Sequence, residues 1–201
     1  VPPDMLQAQI DAVVEDIGID AVKIGMLHSP EVVAVVADAL RRHHLSHVVL
    51  DPVMVATSGD RLMADETVQV LVRELFPLAT VVTPNLDEAA LLLGRSIPGI
   101  EALDAAARAL LALGAPAVLL KGGHLPGAEV VDVLALPDGT LQHLRSPRIA
   151  THNGHGTGCT LSSAIAAHLA LGHALPEAVA LARAYILGAI QAGAAVRTGK
   201  G

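Results

Sequence analysis

The stretch Ile149-Ala-Thr-His-Asn-Gly-His-Gly-Thr-Gly-Cys159 runs directly into Thr160-Leu-Ser-Ser-Ala-Ile-Ala-Ala167. Glycines 154, 156 and 158 punctuate one tight turn, and a small-residue apolar run of helical character follows. A glycine-rich loop opening a helix gathers unpaired backbone N–H groups and the positive end of the helix dipole at one point. Such a point is an anion site, with phosphate its usual guest. Cys159, the only cysteine of the chain, stands at its mouth, and a helix N-terminus favours the thiolate. The plain alternative is a structural turn before a helix. Alternating glycines that end at a reactive side chain weigh against it. The loop is not a Walker A loop, because no Gly-Lys-Ser/Thr follows. Nor is it a strong dinucleotide fingerprint, which needs a strand–loop–helix unit followed by a ribose-binding acid.

Outward from this loop, helix-like and strand-like segments alternate. Residues 4–17 read as a helix, with Leu6, Ile10, Val13, Val14 and Ile17 on one face. A short strand over 21–24 ends at Gly25. Ser29-Pro-Glu31 is a helix start, with a capping Ser and Pro in the first turn, and that helix runs to about residue 42. An apolar strand over 47–50 ends at Asp51-Pro52, and a loop continues to Arg61. Further helices are expected over 65–75, 85–93 and 101–113, with strands over 80–83 and 117–120. Two β-rich stretches, 129–136 and 140–145, are joined by Pro137-Asp-Gly139, a hairpin signal. Helices over 157–171 and 175–193 close the chain.

Repeated strand–helix units predict an α/β fold, a mostly parallel central sheet flanked by helices on both faces. Ligands of such folds bind at the carboxyl ends of the strands. Gly25-Met26, Asp51, Thr83-Pro-Asn85, Lys121-Gly-Gly-His124 and the glycine loop all fall at those ends.

Composition narrows the function classes. The 201 residues are 52% hydrophobic and 16% charged, which excludes a disordered chain. A net charge of −7, with no basic cluster beyond Arg41-Arg42, argues against a nucleic-acid partner. One Phe, one Tyr and no Trp remove a base-stacking platform. A single cysteine forms no internal disulfide, so a reducing cytoplasm is expected. No apolar run of membrane-span character and no signal peptide are evident, so no membrane partner is expected.

Several strand-end residues carry candidate chemistry. Asn85-Leu-Asp-Glu88 is close to a capping box, and the same geometry aims Asn85 and Glu88 at the carboxyl edge of the sheet. Hard oxygen ligands there, joined by Asp51, suit Mg²⁺ held alongside substrate phosphates. The cap and metal readings are compatible. Lys121 ends a buried strand before two glycines and reads equally as a site cation or a snorkelling surface lysine. Cys159 has three readings: a small core residue, a covalent nucleophile, or a group that deprotonates or positions a hydroxyl attacking a phosphate. The adjoining anion site favours the third. The ten histidines lack convincing companion ligands, and structural zinc is disfavoured.

Five motifs occur in order: Lys23-Ile-Gly-Met-Leu27, Asp51-Pro-Val-Met-Val-Ala-Thr-Ser-Gly59, Thr83-Pro-Asn-Leu-x-Glu-Ala89, Leu120-Lys-Gly-Gly-His124 and His155-Gly-Thr-Gly-Cys-Thr-Leu-Ser-Ser163. Together they resemble the hydroxymethylpyrimidine/phosphomethylpyrimidine kinases of thiamine biosynthesis, in the ribokinase-like superfamily. The resemblance implies a single ribokinase-like domain over residues 1–201. It implies ATP-dependent phosphorylation of 4-amino-5-hydroxymethyl-2-methylpyrimidine and then of its monophosphate, with ATP and Mg²⁺ as cofactors and a homodimer as the assembly. By the same resemblance, Cys159 is the catalytic base, with Gly156 and Gly158 in the anion hole. Met26 and Val53 match pyrimidine-pocket positions. Lys121, Asn85 and Thr157 match the nucleotide side, and Asp51 and Glu88 the metal–phosphate region.

The chain has Gly154 where the family commonly has Thr, and Asp87 where it commonly has Pro. The family's opening strand, Gly-Ser-Asp-rich loop, flap and C-terminal tail are expected to be lacking here. Three alternatives stay open: a pyridoxal kinase of the same superfamily, a ligand-binding remnant without turnover, and a cysteine hydrolase.

Overall fold

The computed structural model describes residues 1–55 and 60–197. The Ala-Thr-Ser-Gly end of the 51–59 motif therefore lies outside the described residues. Six strands form one sheet: β1 (Val22–Ile24), β2 (Val48–Leu50), β3 (Val81–Val82), β4 (Val118–Leu120), β5 (Glu129–Ala135) and β6 (Leu141–Pro147). Their spatial order equals their chain order. The first four run parallel, and β5 and β6 add antiparallel at one edge as the expected hairpin.

Between the strands lie α2 (Pro30–Arg42), α3 (Asp65–Leu75), α4 (Leu86–Leu93) and α5 (Leu103–Leu111), with α1 (Pro3–Asp16) before β1. Each parallel step moves the same way along the sheet. Right-handed crossovers therefore deliver α2 to α5 to one face. There Val33, Leu71, Ala89 and Leu110 pack with Ile24, Leu50, Val82 and Leu120. The opposite face is covered by α6 (Thr157–Ala170) and α7 (Leu175–Gly193). Ile165 and Val179 pack there on Val49, Val81 and Leu119. Strand residues alternate between the two layers, as the two-residue period of a strand requires.

Local chemistry sets the helix starts. The Ser29 side chain accepts from the Val32 N–H at the head of α2, and Arg41 and Arg42 close its last turn. The segment expected as one helix over 101–113 instead opens as a 3-10 turn, Ile100–Ala102, and its α-helix ends at Leu111. No side chain caps the start of that helix, so nothing favours one sharp boundary.

The apolar face of α1 is less covered than its periodicity suggests. Ile17 is 76% exposed, no residue of the helix is fully buried, and an apolar groove of about 280 Å³ runs beside Leu6, Ile10, Val36 and Leu40. Polar contacts help hold α1, since the Asp11 carboxylate lies 2.7 Å from His43 Nε2 and 3.0 Å from Arg42 Nη2. Among the described residues, no helix is long and apolar enough to cross a membrane.

One polar knot joins the two layers. The buried Asp132 of β5 accepts from the Gly122 N–H at 2.9 Å and from Arg183 Nε of α7 at 2.9 Å. Gly122 passes so close to β5 that a Cβ there would sit 2.0 Å from the Val131 carbonyl oxygen. Nothing lies within 4 Å of the corresponding position on Gly123. Gly122→Ala should therefore destabilise the fold by about 2–3 kcal/mol, the cost of forced overpacking. Gly123→Ala should leave the denaturation midpoint nearly unchanged, and comparing the two urea melts checks this.

Candidate active site

Asp51 follows β2 directly, and its backbone N–H donates to the Ile24 carbonyl at 2.9 Å. Its side chain is 2% exposed. A buried carboxylate is stable only when paired and hydrogen-bonded. Oδ1 accepts from Lys121 Nζ at 2.8 Å and from Thr83 Oγ1 at 3.1 Å. Oδ2 accepts from Ser162 Oγ at 3.0 Å, and Lys23 Nζ lies 3.8 Å away. One carboxylate thus gathers β1, β2, the ends of β3 and β4, and α6.

The head of α6 completes the site. Gly156 is its N-cap at φ 82°, a left-handed conformation that glycine adopts without strain. No side chain caps the helix, and the Gly158 and Cys159 N–H groups have no partner among the described residues. Unpaired donors at a helix start are what the anion site expected of the loop requires. A Cβ on Gly158 would lie 3.3 Å from Lys121 Nζ, so the bare glycine admits the ammonium group. Thr157 turns the loop by donating its hydroxyl to the Gly154 carbonyl at 2.8 Å. Cys159 is exposed. His152 and His155 are exposed and make no hydrogen bond among the described residues, so neither forms a dyad with the thiol.

Asn85 and Glu88 form a full capping box on α4. The Glu88 N–H donates to Asn85 Oδ1 at 2.9 Å, and the Asn85 N–H to Glu88 Oε2 at 2.8 Å. Asn85 also bridges to Lys121, whose N–H donates to the Pro84 carbonyl at 2.9 Å. Glu88 is 2% exposed. Burial pushes its carboxyl up to about 7, against the opposing pull of Lys121 and of the Asn85 N–H. Asp51 and Glu88 supply hard oxygens around Lys121, but among the described residues no group of three or more acidic, His or Cys side chains could hold a metal. That donor set fits a Mg²⁺ shared with phosphates, as magnesium ordinarily binds, and not an all-protein cage.

Val53 is half-buried, and its N–H donates to the Asp51 carbonyl at 2.8 Å. Met26, 48% exposed, follows β1 on the far side of Asp51 from Lys121. Asp51, Glu88, Asn85, Lys121 and Gly158 are thus brought into one cluster. Gly156, Thr157 and Cys159 stand at its rim in the first turn of α6.

Sequence reasoning missed Lys23, Thr83 and Ser162. Lys23 carried a readable signal, a charge in the middle of a short apolar strand. Thr83 carried only its place in the strand-end run Thr83-Pro-Asn85, and Ser162 carried nothing that separates it from ordinary polar residues.

The model of the family described as phosphomethylpyrimidine kinase matches residues 1–201. The chain belongs to that family. A hydroxymethylpyrimidine/phosphomethylpyrimidine kinase of Rhizobium meliloti is 52% identical over 202 aligned positions, covering 100% of this chain and 75% of the relative. The crystal structure of a Clostridium difficile phosphomethylpyrimidine kinase superposes with a TM-score of 0.81 at 39% identity, over 94% of this chain and 77% of that one. An ADP complex of Bacillus subtilis pyridoxal kinase superposes with a TM-score of 0.88 at 38% identity, over 95% and 72%. This phosphomethylpyrimidine kinase family member is therefore a phosphotransferase on a ribokinase-like fold.

Glu88 makes the stability of the kinase fold pH-dependent. Its carboxyl rises from 4.5 to about 7 on folding, so the folded state holds the proton more tightly. The contribution is most favourable below pH 4.5 and is lost as pH rises through about 7. Relative to Glu88→Gln, which keeps the capping acceptor, the wild type should lose about 3 kcal/mol between pH 4.5 and pH 8. Parallel denaturant titrations across that range measure the difference, and parallel pH profiles would contradict it.

Proposed function

We propose that this chain transfers the γ-phosphoryl group of ATP to the hydroxyl of 4-amino-5-hydroxymethyl-2-methylpyrimidine, and then a second to the resulting monophosphate. The observation that carries the reading is the match of the whole chain to the kinase family, with an uncapped helix N-terminus facing a lysine–carboxylate cluster. The working assembly in this reading is a homodimer, on the family resemblance alone.

In the first transfer, the hydroxyl oxygen forms a bond to the γ-phosphorus as the bond from that phosphorus to ADP breaks. The hydroxyl proton passes to Cys159 Sγ, at the exposed mouth of the site. The Gly158 and Cys159 N–H groups receive the negative charge of the phosphoryl oxygens. Lys121, held by Asp51 at 2.8 Å, neutralises the nucleotide side. Asp51 and Glu88 would hold a Mg²⁺ brought with the nucleotide, which would supply further charge neutralisation. Met26 and Val53 line the pyrimidine side, and Asn85 and Thr157 border the nucleotide side.

The two transfers place different demands on Cys159. A neutral alcohol benefits from a base, whereas a phosphate monoester is already anionic. Cys159→Ala should therefore slow the first phosphorylation by about a hundredfold and the second far less. Product analysis with each substrate separately reads this, and equal losses would remove the base role. The assignment itself is tested by offering ATP, Mg²⁺ and equimolar pyrimidine alcohol and pyridoxal. Preferential conversion of the pyrimidine to its diphosphate, with two ADP released, is expected. A preference for pyridoxal would favour the second reading, which the likeness to the Bacillus subtilis enzyme keeps in view.

A further inference from the structure

We propose that Lys23 recognises the phosphate of the pyrimidine monophosphate and so serves the second transfer. The inference rests on the function proposed above. Lys23 pairs in register with Val49, whose side chain packs in the α6–α7 layer. Its neighbours Val22 and Ile24 pack in the opposite layer. Strand alternation therefore places the lysine on the α6 face, beneath the anion site.

The side chain is only 21% exposed, yet its one partner among the described residues is Asp51 Oδ2 at 3.8 Å. That separation is too long for a hydrogen bond. The Lys23 ammonium thus has three donors and no acceptor in hydrogen-bond range among the described residues. Asp51 already carries Lys121 at 2.8 Å. Asp51 faces two ammonium groups, and the other carboxyl of the cluster, Glu88, acts on Lys121. Lys23 is thus left without a close counter-ion in a largely desolvated place, where an anionic oxygen is the fitting occupant.

The two ammonium groups face different parts of the crevice. Lys121 Nζ lies 3.3 Å from where a Cβ on Gly158 would be, in the glycine loop. Lys23 Nζ lies 3.3 Å from the same position on Gly25, the residue before Met26. Lys121 is thus placed for the nucleotide phosphates, and Lys23 for a group carried by the pyrimidine. The alcohol substrate brings no charge there. The monophosphate brings a phosphate, one oxygen of which forms the new bond to the γ-phosphorus as the bond to ADP breaks. Two phosphates then approach each other, and Lys23 offsets their repulsion.

Lys23→Met and Lys23→Arg test this, with kcat/KM measured for the alcohol and the monophosphate at saturating ATP. Calorimetric titration of the monophosphate in the absence of ATP adds a readout independent of turnover. Lys23→Met should lose roughly tenfold more kcat/KM with the monophosphate than with the alcohol, mostly through KM, since a charge-assisted hydrogen bond is removed. Calorimetric affinity should fall by a similar factor, and Lys23→Arg should restore most of the ratio. Equal losses on both substrates, or a loss confined to the KM for ATP, would overturn the proposal. A wild-type protein that phosphorylates neither pyrimidine would instead sink the proposed function. Titration with inorganic phosphate then decides Lys23: weaker binding in Lys23→Met supports it, and unchanged binding overturns it.

Discussion

A single buried carboxylate, Asp51, organises this molecule. It is 2% exposed and receives Lys121, Thr83 and Ser162 as direct hydrogen-bond donors, with Lys23 nearby. Remove the carboxylate and two ammonium groups face each other in a place from which water is largely excluded, which typically costs about 3–5 kcal/mol when one partner of a buried pair is lost. Remove the lysines and the carboxylate is stranded instead. The cluster is therefore stable only as a set. Its members come from the middle of β1, the ends of β2, β3 and β4, and one helix, so sheet geometry and site geometry are the same constraint.

The layered architecture explains why that constraint can be met. Right-handed crossovers place α2 to α5 on one face and leave the other for α6 and α7. The second face is where α6 can bring an uncapped N-terminus over the ends of β1 and β2. Bare backbone at Gly25 and Gly158 gives each ammonium group room to approach. The capping box on α4 adds a carboxyl group that satisfies the Asn85 N–H and also interacts with Lys121 and Asp51. Asp132 and Arg183 steady the loop after β4 from behind, so Lys121 projects from a fixed base.

Much of this was legible in the sequence, for reasons that differ by element. Strong local signals placed elements well: Ser29-Pro30 at a helix start, the Asn85…Glu88 spacing, the glycine loop, and apolar runs for the buried strands. The 101–113 segment was less defined because no capping residue fixes its start. The burial of α1 was not legible, because an apolar stripe says which face could be covered and not what covers it. Strand-end punctuation pointed to Asp51, Asn85, Glu88 and Lys121. Their mutual contacts were not readable, since hydrogen bonding across long separations leaves no periodicity. Lys23 was overlooked because it sits inside a strand and not at its end. Alternation within Val22-Lys23-Ile24 would have assigned it to the face opposite its neighbours.

The sequence separations at Asp51 bear on how the chain assembles. Its bond to Lys121 spans 70 positions, and its bond to Ser162 spans 111. The layer formed by β1 to β4 with α2 to α5 can condense from neighbouring pieces while the chain is still growing. The crevice cannot, because its last donor arrives with α6. Contacts of such long range close slowly against loop entropy. A nascent chain therefore carries an unfinished polar centre until α6 emerges, and the set of donors around Asp51 is complete only then.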